Sequence, residues 1–188
     1  VTLTRRSALR LVLIGLIGGL VQLGAISQLT VFGVPADLSP LLVAAVGFYG
    51  GSLAGAGFGF GLGLFVDISL FQTLGVSSLA FTAVGYGAGR FRELRDPAHG
   101  LAPVLVGAVG TAVSVIGFAL LQFLLGVDAP VSLLLLRQIL LTIVLNTLIA
   151  LPIFAIVRRL LLRYMPDDPR RRRRRAYTTG GLSPLTRA

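Results

Sequence analysis

Long apolar runs separated by short polar clusters make up most of this chain. The first run, Leu9 to Leu29, follows Arg5, Arg6 and Arg10. Gly15 and Gly19 share one helical face there and allow another helix to come close. Gln22 falls deep in the span, where it is expected to face a helix and not lipid. The segment Val34 to Pro40 holds two prolines and Asp37, which predicts a loop and a helix start with Asp37 as cap. From Leu38 to Val66 the chain is apolar throughout. As one helix this run is about 43 Å long at 1.5 Å per residue, against a hydrocarbon core of about 30 Å. It is therefore one strongly tilted helix or two short spans, with Gly50-Gly51-Ser52 as the turn.

Charge favours the split. Arg clusters lie before the first span, at Arg90, Arg92 and Arg95, and after the last span at Arg158, Arg159, Arg163 and Arg170–Arg175. If all three clusters are cytoplasmic, an even number of spans separates each pair. Span two then covers about Leu38 to Tyr49, and span three about Leu53 to Val66. Both are short, and one is re-entrant or lies where the bilayer thins. Asp67 falls at the outer end of span three.

The stretch Gly50 to Asp67 is the richest in glycine. Gly55, Gly59 and Gly63 repeat every four residues, and Gly57 and Gly61 do so on a second register. Each glycine costs about 1 kcal/mol against alanine in a soluble helix. In a bilayer the backbone must bond to itself in any case, and glycine permits close helix packing. Two registers mean that this helix can be approached from opposite sides, as the central packing element of a bundle.

Span four runs from about Val76 to Gly89, with Ser78, Thr82, Gly85 and Gly89 on one face and Tyr86 near the inner boundary. The loop that follows is polar. Span five is about Leu101 to Leu125, with Gly107, Thr111 and Ser114 sharing a face. Span six is about Val131 to Val157. Gln138, Thr142, Asn146 and Ala150 form a polar stripe along it, and Pro152 is expected to kink it. The reading is all-α: an integral membrane bundle of six transmembrane helices over residues 1–165, or five if the Leu38–Val66 run is undivided. Residues 166–188 read as a disordered, Arg-rich cytoplasmic tail.

Composition agrees. Hydrophobic residues make up 55% and mean hydropathy is +0.89, as in multi-span membrane proteins. The net charge of +10 comes entirely from arginine. These arginines flank apolar spans, a pattern of orientation and lipid contact and not of a nucleic-acid groove. The initial apolar run is too long for a signal-peptide core and is read as a retained span. There is no cysteine, and the one histidine, His99, sits in a polar loop, where solvation is the plainest reading. No catalytic, cofactor-binding or metal arrangement is discernible, and the glycine-rich stretch lacks the strand and charge of a dinucleotide site.

Three features invite sharper readings. Arg137 lies roughly 9 Å into span six. It snorkels outward, pairs with Asp128 or Asp67, or meets a partner. Asn146 is bundle glue or a ligand contact. The Arg170–Arg175 run touches anionic lipid or an acidic protein surface.

The succession PADLSPLL, GAGFGFGLGLFVD and LGVSSLAFTAVGYGAG, with Arg137, Asn146 and Pro152 beyond, resembles the MreD family of rod-shape membrane proteins. The resemblance runs from about Pro35 to Pro152 and is most specific from Gly55 to Gly89. Asp67 matches the acid closing the family's glycine-rich segment, and Gly85, Tyr86 and Gly89 match its GYxxG-like segment. The Gly-Gly-Ser turn departs from a family that often has a basic residue there. The resemblance implies a six-span fold similar to the S-components of vitamin transporters. It implies a non-enzymatic scaffold in the bacterial cell membrane; the arginine clusters are what put both termini on the cytoplasmic side. The implied partners are MreC, MreB, RodA and a class B penicillin-binding transpeptidase. The alternative is a substrate-binding subunit of a vitamin uptake transporter.

Overall fold

The structure, a computed structural model, describes residues 5–22, 24, 30–31, 34–35, 37–94, 101–126 and 133–162. Among the described residues there are six α-helices: α1 (Arg5–Val21), α2 (Ser39–Gly50), α3 (Ser52–Ser69), α4 (Val76–Leu94), α5 (Ala102–Leu124) and α6 (Leu133–Leu162). Between α1 and α2 lies a small antiparallel ribbon, β1 (Thr30–Val31) with β2 (Val34–Pro35). α3, α5 and most of α6 (Leu136–Leu161) are long and apolar enough to cross a membrane.

The long apolar run does divide. α2 ends at Gly50 and α3 starts at Ser52. The joint is Gly51, whose φ of 92° lies in the left-handed region that glycine enters without a Cβ penalty. Pro40 sits in the first turn of α2, where its missing N–H costs nothing. The first span is α-helical to Val21, and its expected end near Leu29 lies outside the described residues. One expectation needs correction. The polar segment after span four is not loop from its start: α4 continues to Leu94, so Arg90, Arg92 and Glu93 are helical. In a hydropathy reading a charged helix end looks like loop.

α2 is the hub. Ten of its 12 residues are buried, and it packs on α3, α4, α5 and α6. At 1.5 Å per residue it is only about 18 Å long. It is a half-span whose first turn meets the middle of α6, since Asn146 donates to the Asp37 carbonyl at 2.8 Å. Irregular backbone at that depth is tolerated only where protein covers it. Gln22 supplies part of that cover: its Oε1 accepts the Leu38 N–H at 2.9 Å. Asp37 adds its own carboxylate, which accepts the Ser39 N–H at 2.9 Å.

Helix contacts fix the directions. α3 and α4 run antiparallel, with Gly63 on Ser78, Gly59 on Phe81 and Gly55 on Gly85. α1 runs parallel to α3, with Gly15 on Phe58 and Gly19 on Phe65. α5 and α6 are antiparallel, with Gly107 on Ala150 and Thr111 on Asn146. The starts of α1, α3 and α5 therefore share one end of the bundle with the ends of α2, α4 and α6. Arg5, Arg6, Arg10, Arg90, Arg92, Arg158 and Arg159 all lie toward that end. Arg137, four residues into α6, lies toward the other. Near the arginine end, Phe48, Tyr49 and Phe154 stack edge-on with centroids 5.1–6.1 Å apart, tying α2 to α6.

Candidate functional site

The centre of the molecule is a place where three backbones touch. Gly47 of α2, Gly55 of α3 and Gly85 of α4 meet face to face. A Cβ on Gly47 or Gly55 would collide with the Gly85 carbonyl, and one on Gly85 with the Gly55 carbonyl. Above and below, Gly59 abuts the Phe81 carbonyl, Gly63 abuts Ser78, and Gly89 abuts Ser52. Five sequence candidates, Gly55, Gly59, Gly63, Gly85 and Gly89, are thus engaged inside the chain. Gly47 was missed, although VGFYG places it four residues before the turn.

Both ends of this sheaf are fastened by charge. At the turn between α3 and α4, Asp67 is fully buried. Its carboxylate accepts the Gly75 N–H at 2.8 Å and the Ser77 N–H at 3.2 Å, the unpaired donors at the start of α4. Asp67 is therefore the cap of the next helix. The cue in sequence was an acid eight residues ahead of Gly75-Val76-Ser77, at a helix start.

At the opposite end, Arg92 and Glu93 clasp the α2–α3 turn. The Arg92 guanidinium donates to the carbonyls of Phe48 and Tyr49 at 2.9 and 3.2 Å, and lies 5.5 Å from both ring centroids. Glu93 Oε1 accepts from the Ser52 backbone N–H at 2.9 Å and its hydroxyl at 2.8 Å. A cation thus meets the C-terminus of α2 and an anion the N-terminus of α3, as the helix dipoles require. The hydrogen bonds from Ser52, led by the backbone one, hold the Glu93 carboxyl below its ordinary value. Nothing in the sequence pairs Arg92 and Glu93 with residues some forty positions earlier.

A third constellation lies deeper. Asn146, 1% exposed, also donates to Thr111 Oγ1 at 3.2 Å, and Thr111 is itself fully buried. Of the predicted stripe, Thr142, Asn146 and Ala150 face the bundle and Gln138 is exposed. Here polar side chains join α6 to α5 and to the start of α2. Gly15 and Gly19 seat aromatic rings and not another backbone: the nearest atoms to an added Cβ are in the Phe58 ring at 3.2 Å and the Phe65 ring at 2.7 Å.

The surface carries the remaining candidates. Tyr86 is 51% exposed on α4. Arg137 is exposed, and among the described residues it makes no ion pair. Asp67 is occupied at its cap, and Asp128 lies outside the described residues, as do His99 and Arg170–Arg175. Phe71, 97% exposed with φ of 52°, stands out from an apolar turn with Leu70 and Leu74. An open groove of about 280 Å³ runs between α1 and α3, lined by Leu, Val, Ala, Phe and Gly. Among the described residues no three His, Cys, Asp or Glu gather as metal ligands.

Over residues 6–161 the chain matches the family model described as rod shape-determining protein MreD. The chain belongs to the MreD family. No curated protein and no solved structure matches it. As an MreD-family member it is a membrane protein with a role in rod-shape determination, associated with the shape-determining machinery. The residues shared with the family pattern now have physical jobs. Asp67 closes α3 onto α4, Gly85 sits at the three-backbone node, and Gly89 lets Ser52 reach Glu93.

Proposed function

We propose that this MreD-family chain is a non-enzymatic, multi-pass scaffold of the cell-elongation complex, with both termini cytoplasmic. It would link MreB filaments and MreC to peptidoglycan synthesis by RodA and its class B transpeptidase. One observation carries the reading. The buried polar groups Asp67, Thr111 and Asn146 all join one element of this chain to another. The core is fastened for rigidity, and a rigid body with an arginine-rich end suits the positioning of partners across a membrane. That end is read as cytoplasmic by the positive-inside tendency.

The test is depletion in a rod-shaped host, followed by affinity purification from native membrane. Rounded cells, and co-purification of MreC with the elongation synthase, are the expected results. Unchanged shape and unchanged wall growth would sink the proposal. A transporter ATPase arriving with a bound vitamin would replace it by the uptake-subunit alternative.

A further inference from the structure

The two glycine registers of α3 meet different fates. Gly57 and Gly61 have no atom within 4 Å of an added Cβ. They form part of the wall of the groove between α1 and α3, which extends from Leu11 and Leu53 at the arginine end to Phe65. Phe65 packs on Gly19 and closes it there. From Leu53 to Phe65 the groove is about 18 Å long at helical rise. That is close to one hydrocarbon leaflet, about 15 Å, and well short of the roughly 30 Å that a spanning helix needs.

The open end is the charged one. Arg5, Arg6 and Arg10 occupy the first turns of α1, directly before Leu11, the first groove residue. α1 and α3 run parallel, so both N-terminal partial positive charges point the same way. The one acid described at this end, Glu93, is already engaged by Ser52 and by Arg90 at 3.4 Å. An apolar slot of leaflet length, beginning right after a helix start that carries three arginines in sequence, complements a lipid with an anionic head.

The geometry points to a bound anionic phospholipid, with one acyl chain along Gly57 and Gly61 and its phosphate among the α1 arginines. This site does not depend on which end of the bundle is cytoplasmic.

The test uses the full chain in nanodiscs of equal phosphatidylglycerol and phosphatidylcholine, with retained lipid counted by native mass spectrometry. Phosphatidylglycerol is expected to be retained preferentially. Arg10→Gln should cut that preference about fivefold, the worth of one interfacial charge. Gly57→Leu and Gly61→Leu should abolish retention and leave the melting temperature unchanged. A second measurement does not depend on those variants folding. The chain has no tryptophan, so Leu16→Trp places a single fluorophore in the groove wall. Brominated phosphatidylglycerol should quench it more than brominated phosphatidylcholine at equal mole fraction. Equal retention of the two lipids, equal quenching, or a charge preference that survives groove filling overturns the proposal. So does loss of a dimer on groove filling, which would make a second copy the occupant.

Discussion

The two faces of α3 carry the same residue at the same spacing, with opposite physical roles. On one face Gly55, Gly59 and Gly63 let α4 lie against bare backbone. On the other, Gly57 and Gly61 leave space that the protein does not fill. A glycine repeat in a membrane helix therefore states where a close approach is permitted, and only the neighbours decide whether one occurs. On the sealed face the glycines act by packing, since no hydrophobic force draws helices together in lipid. The charged clasps then fix which ends meet.

The largest effect should come from breaking the sealed face. Overpacking commonly costs about 1–3 kcal/mol where side chains can shift. At Gly59 the obstacle is the Phe81 carbonyl, which is helix backbone and cannot step aside. Gly59→Leu is expected to prevent accumulation of folded protein, whereas Gly57→Leu folds normally. Matching melting curves for the two would erase the distinction between the faces.

Next is Asp67. Replacing it with alanine strips two N–H partners from the start of α4 in a buried site. Loss of a cap costs about 0.5–2 kcal/mol, and burial puts this one toward the upper end. Asp67→Asn, which retains an acceptor, should lose less. Denaturation in mixed detergent micelles would read both, and equal stability of the Asp67→Ala protein would show that α4 does not need this fastening.

Asn146→Leu should cost roughly 0.6–1.7 kcal/mol, the range for interhelical bonds in lipid. The damage should concentrate at the start of α2, read as faster amide exchange near Leu38. No change there would mean that the Asp37 carbonyl is satisfied without α6.

The smallest effect is pH-dependent. The folded-state pKa of Glu93 is depressed, so its contribution is complete above the ordinary glutamate pKa. It is lost as pH falls through the lower, folded value. Melting temperature should thus decline on acidification below the usual carboxylate range, and the decline should be shallower in Glu93→Gln. Glu93 is partly exposed, so solvent screening keeps the difference small. Identical pH profiles would remove Glu93 from the account of the turn.

Much of this was legible in the chain itself. The helix limits of α3 and α5 fell within a few residues of expectation, because apolar length and turn glycines mark them. Splitting the Leu38–Val66 run required arithmetic on arginine clusters, and the turn falls at Gly51, within the Gly50-Gly51-Ser52 cluster that marked it. The ribbon at Thr30–Pro35 was not legible, since alternation over two residues is no signal. The Arg92 and Glu93 clasp was hidden for another reason. Local patterning describes a residue's own helix, and these two act on a turn more than forty positions away. Asp67 was placed at the correct end of α3, but its task belongs to the helix that follows.

The bond from Asn146 to the Asp37 carbonyl has a consequence in time. Its partners are 109 residues apart in the chain. At about 5–20 residues per second of synthesis, α2 waits roughly five to twenty seconds for the side chain that covers its first turn. The innermost helix is thus among the first made and the last completed. Until α6 arrives, the half-span has an open start within the bilayer, and a chain stopped short of α6 should be a target for membrane proteases.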